Sequence, residues 1–196
     1  MSLSAELKRK AFHHLSFFYI LIYAILPRPV AIGLMLAFVA VAGAAEFLRL
    51  RRPEMNAWFL ERFDGIYRED EIMKPSGIFW TLLGCAATMI IFASPRVILP
   101  ALGFLTFGDA AAALAGKRWG RIAWGKTPGK TREGSIAFVI VSAVWGCFFL
   151  RPVVALLSAV AGAWVELQQL PWNDNFWIPL LGGLAVSVIN LLLGKH

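Results

Sequence analysis

Apolar and polar stretches alternate along the 196-residue chain in blocks too long for a soluble domain. A helix that crosses a bilayer needs roughly 20 mostly apolar residues, and seven segments approach that length. The pattern predicts an all-α integral membrane protein, with residues 1–196 forming a single bundle of about seven transmembrane helices. The predicted segments are 12–26, 30–48, 77–94, 97–115, 134–150, 152–167 and 176–193.

The connectors between these segments also alternate. Those after the first, third and fifth segments are short turns around Pro27-Arg28-Pro29, Ser94-Pro95-Arg96 and Arg151-Pro152. Proline ends one helix there and presets the start of the next. The other connectors are longer and polar, so the functional groups are expected on the side of the membrane that carries them.

The longest connector has a helical pattern of its own. Met55, Trp58, Phe59, Phe63 and Ile66 recur at helical spacing with charged residues between them. This pattern predicts an amphipathic helix over 54–72 that lies at the membrane surface. A strap that covers the bundle and a role in lipid entry are both open interpretations.

Positive charge fixes the expected orientation. Of the 19 Lys and Arg residues, all but Arg28, Arg96, Arg151 and Lys195 precede the first segment or lie in the second and fourth connectors. The positive-inside rule then predicts a multi-pass protein with a cytoplasmic N-terminus and an active cytoplasmic face, in the inner membrane if the source is bacterial. The same distribution argues against nucleic acid as the reason for the net charge of +7, because these charges face lipid head groups or an anionic substrate.

Four acidic residues are the first candidates for chemistry. Ionisable groups are costly in a membrane segment, at roughly 2.5–3.5 kcal/mol each on insertion scales, and therefore point to function. Asp109, Glu166 and Glu46 lie near the ends of the fourth, sixth and second segments, and Asp174 lies in the sixth connector. The predicted topology places all four on the cytoplasmic side.

The connector at 116–135 is the second candidate, with six basic residues and five glycines in twenty positions. Basic groups neutralise phosphates, and glycine allows backbone N–H groups to turn towards them. Anionic lipid would account for the charge but not for the glycines, so a phosphate-binding loop is the favoured interpretation. Its candidate ligands are Gly116, Lys117, Arg118, Gly120, Lys126, Gly129, Lys130, Arg132, Glu133 and Gly134.

Residues 120–127 match the formal P-loop pattern, but their context excludes a P-loop domain. That pattern binds phosphate when it follows a β-strand and opens a helix. Here it follows a membrane segment, and Pro128-Gly129 interrupts any helix start. The basic glycine loop is retained as a phosphate-binding candidate without that fold.

Acids beside a basic loop suggest phosphoryl transfer. Carboxylates would hold Mg²⁺ on a nucleoside triphosphate, while Lys and Arg would stabilise the transferring phosphoryl group. A substrate alcohol at the membrane interface would need a base, and Asp109, Glu166 or Asp174 could serve. His13, beside Lys10 at the start of the first segment, is either a boundary residue or part of this site.

These residues resemble the CTP-dependent membrane lipid kinases, the family that includes dolichol kinase, phytol kinase and the yeast-type diacylglycerol kinase. The resemblance runs over most of the chain, which looks like a minimal core beside the longer dolichol kinases. The motifs are Arg9-Lys10 with His13; Lys74-Pro75-Ser76-Gly77; Gly108-Asp109-Ala110; Gly116-Lys117-Arg118-Trp119-Gly120; Gly129-Lys130-Thr131-Arg132-Glu133-Gly134-Ser135; and Glu166 with Asp174-Asn175 ahead of Ile178-Pro179.

The resemblance implies transfer of the γ-phosphoryl group of CTP to a lipid alcohol (a polyprenol, a phytol-like alcohol or diacylglycerol) with a divalent metal. It also implies a site that includes Asp109, Lys130, Glu133, Gly134, Glu166, Asp174 and Asn175. The related phosphatidate cytidylyltransferases are the first alternative, although their C-terminal signature is absent from the sequence. A small transporter is the second, since buried acids also mark ion pathways. A homodimer is compatible with the sequence, although no residue requires it.

Overall fold

The computed structural model describes residues 16–63, 67, 71–124 and 129–193. Within these ranges the chain is helical and contains no β-strand, only an isolated bridge between Ala123 and Thr131. The helices are α1 (Ser16–Ile25), α2 (Arg28–Arg51), α3 (Pro53–Arg62), α4 (Gly77–Ile91), α5 (Pro95–Gly103), a π-helical turn (Phe104–Asp109), α6 (Ala110–Trp119), α7 (Arg132–Gly146), α8 (Pro152–Leu167) and α9 (Asp174–Leu193).

Proline and hydroxyl residues set the helix starts, and the prolines of the short connectors do so as predicted. Proline occupies the first or second position of α2, α3, α5 and α8, where its missing N–H has no helical partner to lose. Ser76 caps α4 by accepting from the backbone N–H of Phe79 at 3.3 Å, and Thr131 caps α7 by accepting from that of Gly134 at 3.1 Å. The two capped helices both begin beside the candidate site.

The predicted segment 97–115 is a longer composite of α5, the π-helical turn and α6. The Trp145 indole donates to the Leu99 carbonyl at 2.9 Å and lies so close to Gly103 that a Cβ there would be 1.9 Å from its nitrogen. A side chain that enters the helical hydrogen-bond ladder is a recognised cause of local distortion. The π-helical turn begins directly afterwards, at Phe104, and ends at Asp109.

The core lies where this composite helix meets α8 and α9. The Phe104 ring is fully buried, and Gly162 of α8 and Gly182 of α9 leave room for it: a Cβ at either glycine would be 3.2 or 3.0 Å from the ring. Helix α9 packs against α8, α4 and α5, while α7 packs against α6 and α8. Helix α2 lies outside, against α4, and is largely exposed.

Among the described residues, three helical stretches are long and apolar enough to cross a membrane: Arg28–Arg51, Pro95–Trp119 and Asp174–Leu193. Ser16–Ile25, Gly77–Ile91 and Pro152–Leu167 are apolar but shorter. The predicted all-α membrane protein is therefore confirmed in outline, while the count of seven spans and the orientation stay predictions. The predicted surface helix is shorter than 54–72, because α3 ends at Arg62 and residues 71–74 form a turn.

Candidate functional site

A lysine surrounded by acids lies where α7, α8 and α9 meet. The Lys130 ammonium donates to a Glu166 carboxylate oxygen at the end of α8 and to Asp174 Oδ2, at 3.2 Å, at the start of α9. The Glu166 side chain is only 3% exposed, while those of Asp174 and Lys130 are 18% and 26% exposed. Residues far apart in sequence thus form one partly enclosed charged group, here called the acid–lysine cluster (Asp109, Lys130, Glu166 and Asp174).

The neighbouring acids stabilise the protonated form of Lys130. Burial alone would lower its pKa, but the negative charges of Asp174, Glu166 and Asp109 and the hydrogen bond to Glu166 raise it above its ordinary value. Lys130 therefore remains protonated throughout the physiological pH range. Its ammonium can neutralise carboxylates or phosphates, but it cannot act as a base there.

Asp109 reaches the cluster from the last residue of the π-helical turn. It is 5% exposed, and its charge acts on both Lys130 and Glu166. The preceding Gly108 packs so tightly against α7 that a Cβ would lie 2.2 Å from the Ser142 hydroxyl. Single π-helical turns inside α-helices are rare and are found frequently at functional sites.

Three glycines of the predicted phosphate loop lie in a close contact between α6 and the start of α7. A Cβ on Gly116 would lie 3.0 Å from the Thr131 hydroxyl, and one on Gly120 would lie 2.7 Å from the Thr131 methyl group. A Cβ on Gly134 would lie 2.8 Å from the Ala112 carbonyl oxygen. These three glycines allow α6 to meet the start of α7, whereas Gly129, with φ +78°, occupies the left-handed region that glycine accommodates best.

The basic residues of the connector line a groove beside this contact. Arg118, Trp119, Gly120, Arg121 and Glu133 enclose about 420 Å³. The Glu133 carboxylate accepts from the backbone N–H of Ile122 at 3.4 Å, which ties the groove wall to the start of α7. Lys117 lies in the last turn of α6, next to the groove, and is exposed.

Two backbone hydrogen bonds between residues 122–124 and 130–132 join this groove to the acid–lysine cluster. The Trp124 N–H donates to the Lys130 carbonyl at 3.0 Å, and the Arg132 N–H donates to the Ile122 carbonyl at 2.9 Å. The Trp124 indole donates to the Ser135 hydroxyl at 2.9 Å, and the Arg132 guanidinium lies 5.5 Å from the Trp124 ring centre. Next to them an apolar groove of about 400 Å³ runs along α7 past Ile136, Val139 and Ile140.

The start of α9 is fixed from two sides. Asn175 donates its side-chain N–H to the Gly77 carbonyl at 3.1 Å, and its backbone N–H bonds Asn173 Oδ1 at 2.9 Å. Trp172 has a left-handed φ of 71° and stacks between Trp80 and Trp177, with ring centres 5.4 and 5.7 Å away. The predicted ligand Asn175 therefore serves as a tie between α9 and α4 in this structure.

Glu46, the fourth acid, takes a different partner. Its carboxylate accepts from the Arg49 guanidinium one helical turn away, at 2.7 Å. This pair lies at the end of α2 and connects to the connector before α4. Three further predicted site residues, Lys10, His13 and Lys126, lie outside the residues that the structure describes.

Oxygen ligands in the acid–lysine cluster have the chemistry that Mg²⁺ prefers. Within the described ranges, no three His, Cys, Asp or Glu side chains approach closely enough to hold a metal ion by themselves. Lys130 instead bonds two of the three predicted ligands. The metal assignment to Asp109, Glu166 and Asp174 stays a prediction.

Sequence reasoning missed several residues that shape this site. Arg49 lies three residues after Glu46, a spacing that places both on one helix face and could have indicated their pairing. Thr131 is a residue type that commonly caps the start of a helix, and this role could also have been predicted from the sequence. The π-helical turn has no comparable signal, because it depends on Trp145 from a distant helix.

The chain is similar to curated lipid kinases over nearly its whole length. CTP-dependent diacylglycerol kinase 1 of Saccharomyces cerevisiae is 26% identical over 214 aligned residues, which cover 94% of this chain and 73% of that protein. The protein of the same name in Eremothecium gossypii is also 26% identical, with 94% and 67% coverage. Dolichol kinase EVAN of Arabidopsis thaliana is 29% identical, over 92% of this chain and 36% of that protein.

No protein-family model and no solved structure matches the chain. The similarity to named kinases nevertheless supports the predicted relationship to the CTP-dependent lipid kinases, and with it a phosphotransferase.

Proposed function

We propose that this chain, a relative of the CTP-dependent lipid kinases, transfers the γ-phosphoryl group of CTP to a lipid alcohol at the cytoplasmic membrane surface. The observation that carries the proposal is the acid–lysine cluster, in which Lys130 bonds Glu166 and Asp174 beside buried Asp109. The named kinase relatives support CTP as the donor. Diacylglycerol, a polyprenol and a phytol-like alcohol are the candidate acceptors.

In the proposed reaction the lipid hydroxyl oxygen attacks the γ-phosphorus. The bond from that phosphorus to the β–γ bridging oxygen breaks, CDP leaves with the bonding electrons, and the hydroxyl proton passes to a carboxylate. Asp109, Glu166 and Asp174 are the candidate bases, because all three surround the same position. The fixed charge of Lys130 would stabilise the transferring phosphoryl group.

The basic groove is the proposed site of the nucleotide phosphates. Arg118 and Arg121 present guanidinium groups that can bind phosphate oxygens in pairs. The carboxylates of Asp109, Glu166 and Asp174 are oxygen donors of the kind that Mg²⁺ prefers. Together with phosphate oxygens they would hold an ion that neutralises charge on the β- and γ-phosphates. The roles of Lys117, Lys126 and Arg132 in nucleotide binding belong to the same proposal.

The proposed topology has seven spans, with the cluster on the cytoplasmic side. Contacts around the site link six helix ends: the ends of α2, α6 and α8 and the starts of α4, α7 and α9. Helices that cross in alternating directions would bring these ends to one face. The excess of basic residues in the same connectors supports the cytoplasmic side.

Label transfer from γ-labelled CTP tests the function. Purified protein in lipid nanodiscs is incubated with Mg²⁺ and, separately, diacylglycerol, a polyprenol, dolichol and phytol, with γ-labelled ATP in parallel. We expect label in at least one lipid with CTP, and its loss with EDTA. No labelled lipid, but CDP-diacylglycerol formed from phosphatidate, would instead identify a cytidylyltransferase.

The apolar groove along α7 is the proposed site of the lipid chain, because Trp124, which lines it, bonds the Lys130 carbonyl. Ile140→Trp would fill this groove and should raise the KM for the lipid several-fold while leaving that for CTP unchanged. Leu192→Trp, on the exposed surface of α9, is the matched control. Equal KM values in all three proteins would remove the groove from the proposal.

A further inference from the structure

Arg49 is among the largest fully buried side chains of the described residues, at 1% exposure. Its five N–H groups are all engaged. Nε and Nη2 donate to Glu46 at 3.2 and 2.7 Å, and Nη1 donates to Asn56 Oδ1 at 2.7 Å. A buried guanidinium is costly unless its donors are satisfied, so this arrangement tolerates little change.

The remaining Arg49 bonds all go to one connector. Nη1 donates to the Ile72 carbonyl at 2.9 Å, and Nη2 donates to those of Lys74 and Glu71 at 2.7 and 3.2 Å. Three carbonyls within four residues therefore converge on one rigid, planar group. This contact defines the path of residues 71–76 into the Ser76 cap of α4.

That path leads directly to the site. A Cβ at Gly77 would lie 3.0 Å from Asn175 Nδ2 and 3.2 Å from Glu71 Oε1, so the connector and the start of α9 are in close contact. Asn175 bonds the Gly77 carbonyl, and the adjacent Asp174 bonds Lys130. A displacement of the connector is thus transmitted to a carboxylate of the acid–lysine cluster through a single hydrogen bond.

We propose that Arg49 is a positioning residue for phosphoryl transfer, acting through residues 71–77 and Asn175 on Asp174. This inference rests on the proposed function for its kinetic consequence, but not for its structural one. Glu46 shares the role by orienting the guanidinium. Glu46, a further candidate site residue from the sequence, is therefore assigned to the support of the reacting groups.

Arg28 provides a matched control at the other end of α2. Its guanidinium donates to the carbonyls of Met89, Ile90 and Phe92, each at 3.2 Å, at the end of α4. Arg49→Lys and Arg28→Lys each keep the positive charge and lose the planar fork. The two variants therefore apply the same chemical change at opposite ends of the same helix pair.

Hydrogen exchange measures the positioning without any need for activity. We expect Arg49→Lys to accelerate exchange in residues 71–76 and 174–177, and Arg28→Lys to accelerate it near residues 89–92 instead. Unchanged exchange at 174–177 in Arg49→Lys would overturn the inference. If wild-type protein labels no lipid, the proposed function fails, and the exchange data still decide the positioning role.

Kinetics test the consequence for transfer. Arg49→Lys should lower kcat about 10- to 100-fold, since a misplaced catalytic group can cost this much, with the KM for CTP and lipid little changed. Arg28→Lys should leave kcat within about twofold even where it lowers the melting temperature, because its bonds lie away from the reacting groups. Equal kcat losses in both variants would reduce Arg49 to a general stabilising residue.

Gly77→Ala covers the case in which Arg49→Lys does not fold. The added Cβ would press on Asn175 and Glu71 while leaving Arg49 in place, so kcat should fall and exchange at 174–177 should rise. Gly33→Ala is its control, because a Cβ at Gly33 has no neighbour within 4 Å. Wild-type kinetics and exchange in Gly77→Ala would contradict the proposed route.

Discussion

The two ends of the helix bundle use basic residues in different ways. At one end, Arg28 and Arg151 each donate to carbonyls at or next to the C-termini of α4 and α9. Such contacts satisfy helix ends and are favourable locally. At the other end, Arg49 and Lys130 bond groups from several segments and are themselves buried or partly enclosed.

The difference concerns what each residue holds in place. A cap at the far end fixes one terminus, so its loss is expected to affect that terminus alone. At the site end the ammonium of Lys130 links α8 to α9, and Asn175 links α9 to α4. The site end should therefore respond as a unit to single substitutions, and the far end should not.

The largest effect on this comparison is expected from Asp109→Asn. The substitution keeps the shape of a buried side chain but removes a charge that acts on Lys130 and Glu166. Turnover should fall by about 10²- to 10⁴-fold if Asp109 serves as the base or a metal ligand. Label transfer and size-exclusion profiles, compared with wild type, measure activity and folding separately, and full activity would remove Asp109 from the mechanism.

Lys130→Met should produce the next largest effect and should extend to stability. It leaves the buried Glu166 carboxylate without its cation, which is expected to cost about 3 kcal/mol of unfolding free energy together with most activity. Arg151→Met, at the far end, should cost under about 1 kcal/mol and leave kcat unchanged. Unfolding titrations of both variants would contradict the proposed asymmetry if the losses were equal.

Two glycines in α7 allow the effect of helix position on activity to be tested without changing any charge. Gly134→Ala places a Cβ 2.8 Å from the Ala112 carbonyl oxygen at the site end, and Gly146→Ala places one 3.0 Å from the Ala155 side chain at the far end. Both should lower stability by about 1–3 kcal/mol through overpacking. Only Gly134→Ala should also lower kcat, and a matching loss in Gly146→Ala would show that activity simply follows stability.

The smallest predicted effect is in the pH dependence of these stability losses. The folded-state pKa of Lys130 is raised, so its stabilisation is complete below the unfolded value of about 10.4 and disappears as pH rises through the folded value. The unfolding free-energy difference between wild type and Lys130→Met should therefore be constant from pH 7 to 9 and shrink above pH 10.4. The Arg151→Met difference should stay constant over the whole range, and a decline of the Lys130→Met difference already by pH 8 would contradict the raised pKa.

Much of the fold could be predicted, because the positions of membrane helices depend mainly on the residues within each helix and at its ends. Apolar length, proline turns and basic connectors predicted helix positions, including Pro152–Leu167 with the same bounds as observed. The surface helix was predicted too long, because the apolar spacing in the sequence continues beyond Arg62, where the helix ends in the structure. Helical periodicity in the sequence does not indicate where tertiary contacts end a helix.

For the candidate site, the sequence indicated which acids lie together better than it indicated their partners. Asp109, Glu166 and Asp174 were expected together on general grounds, and they do surround one lysine. The partners of Glu46 and Asn175 were not foreseen. The spacing of Arg49 from Glu46 could have indicated the first pair, whereas only tertiary packing brings Gly77 to Asn175. The glycines of the basic connector were interpreted through phosphate chemistry, whereas close helix contact accounts for Gly116, Gly120 and Gly134 in the structure.

The π-helical turn sets the rotation of α6 relative to α5, and an unbroken α-helix over the same residues would set a different one. One residue corresponds to about 100° of rotation in an α-helix. Because a π-helical turn takes up about one residue more than an α-helical turn, regular winding of the same residues 104–109 would rotate α6 against α5 by about that angle. Gly116 would then turn away from Thr131, although no side chain at the site had been changed. The spacing of the chain through this turn is thus as much a part of the site as the identity of its acids.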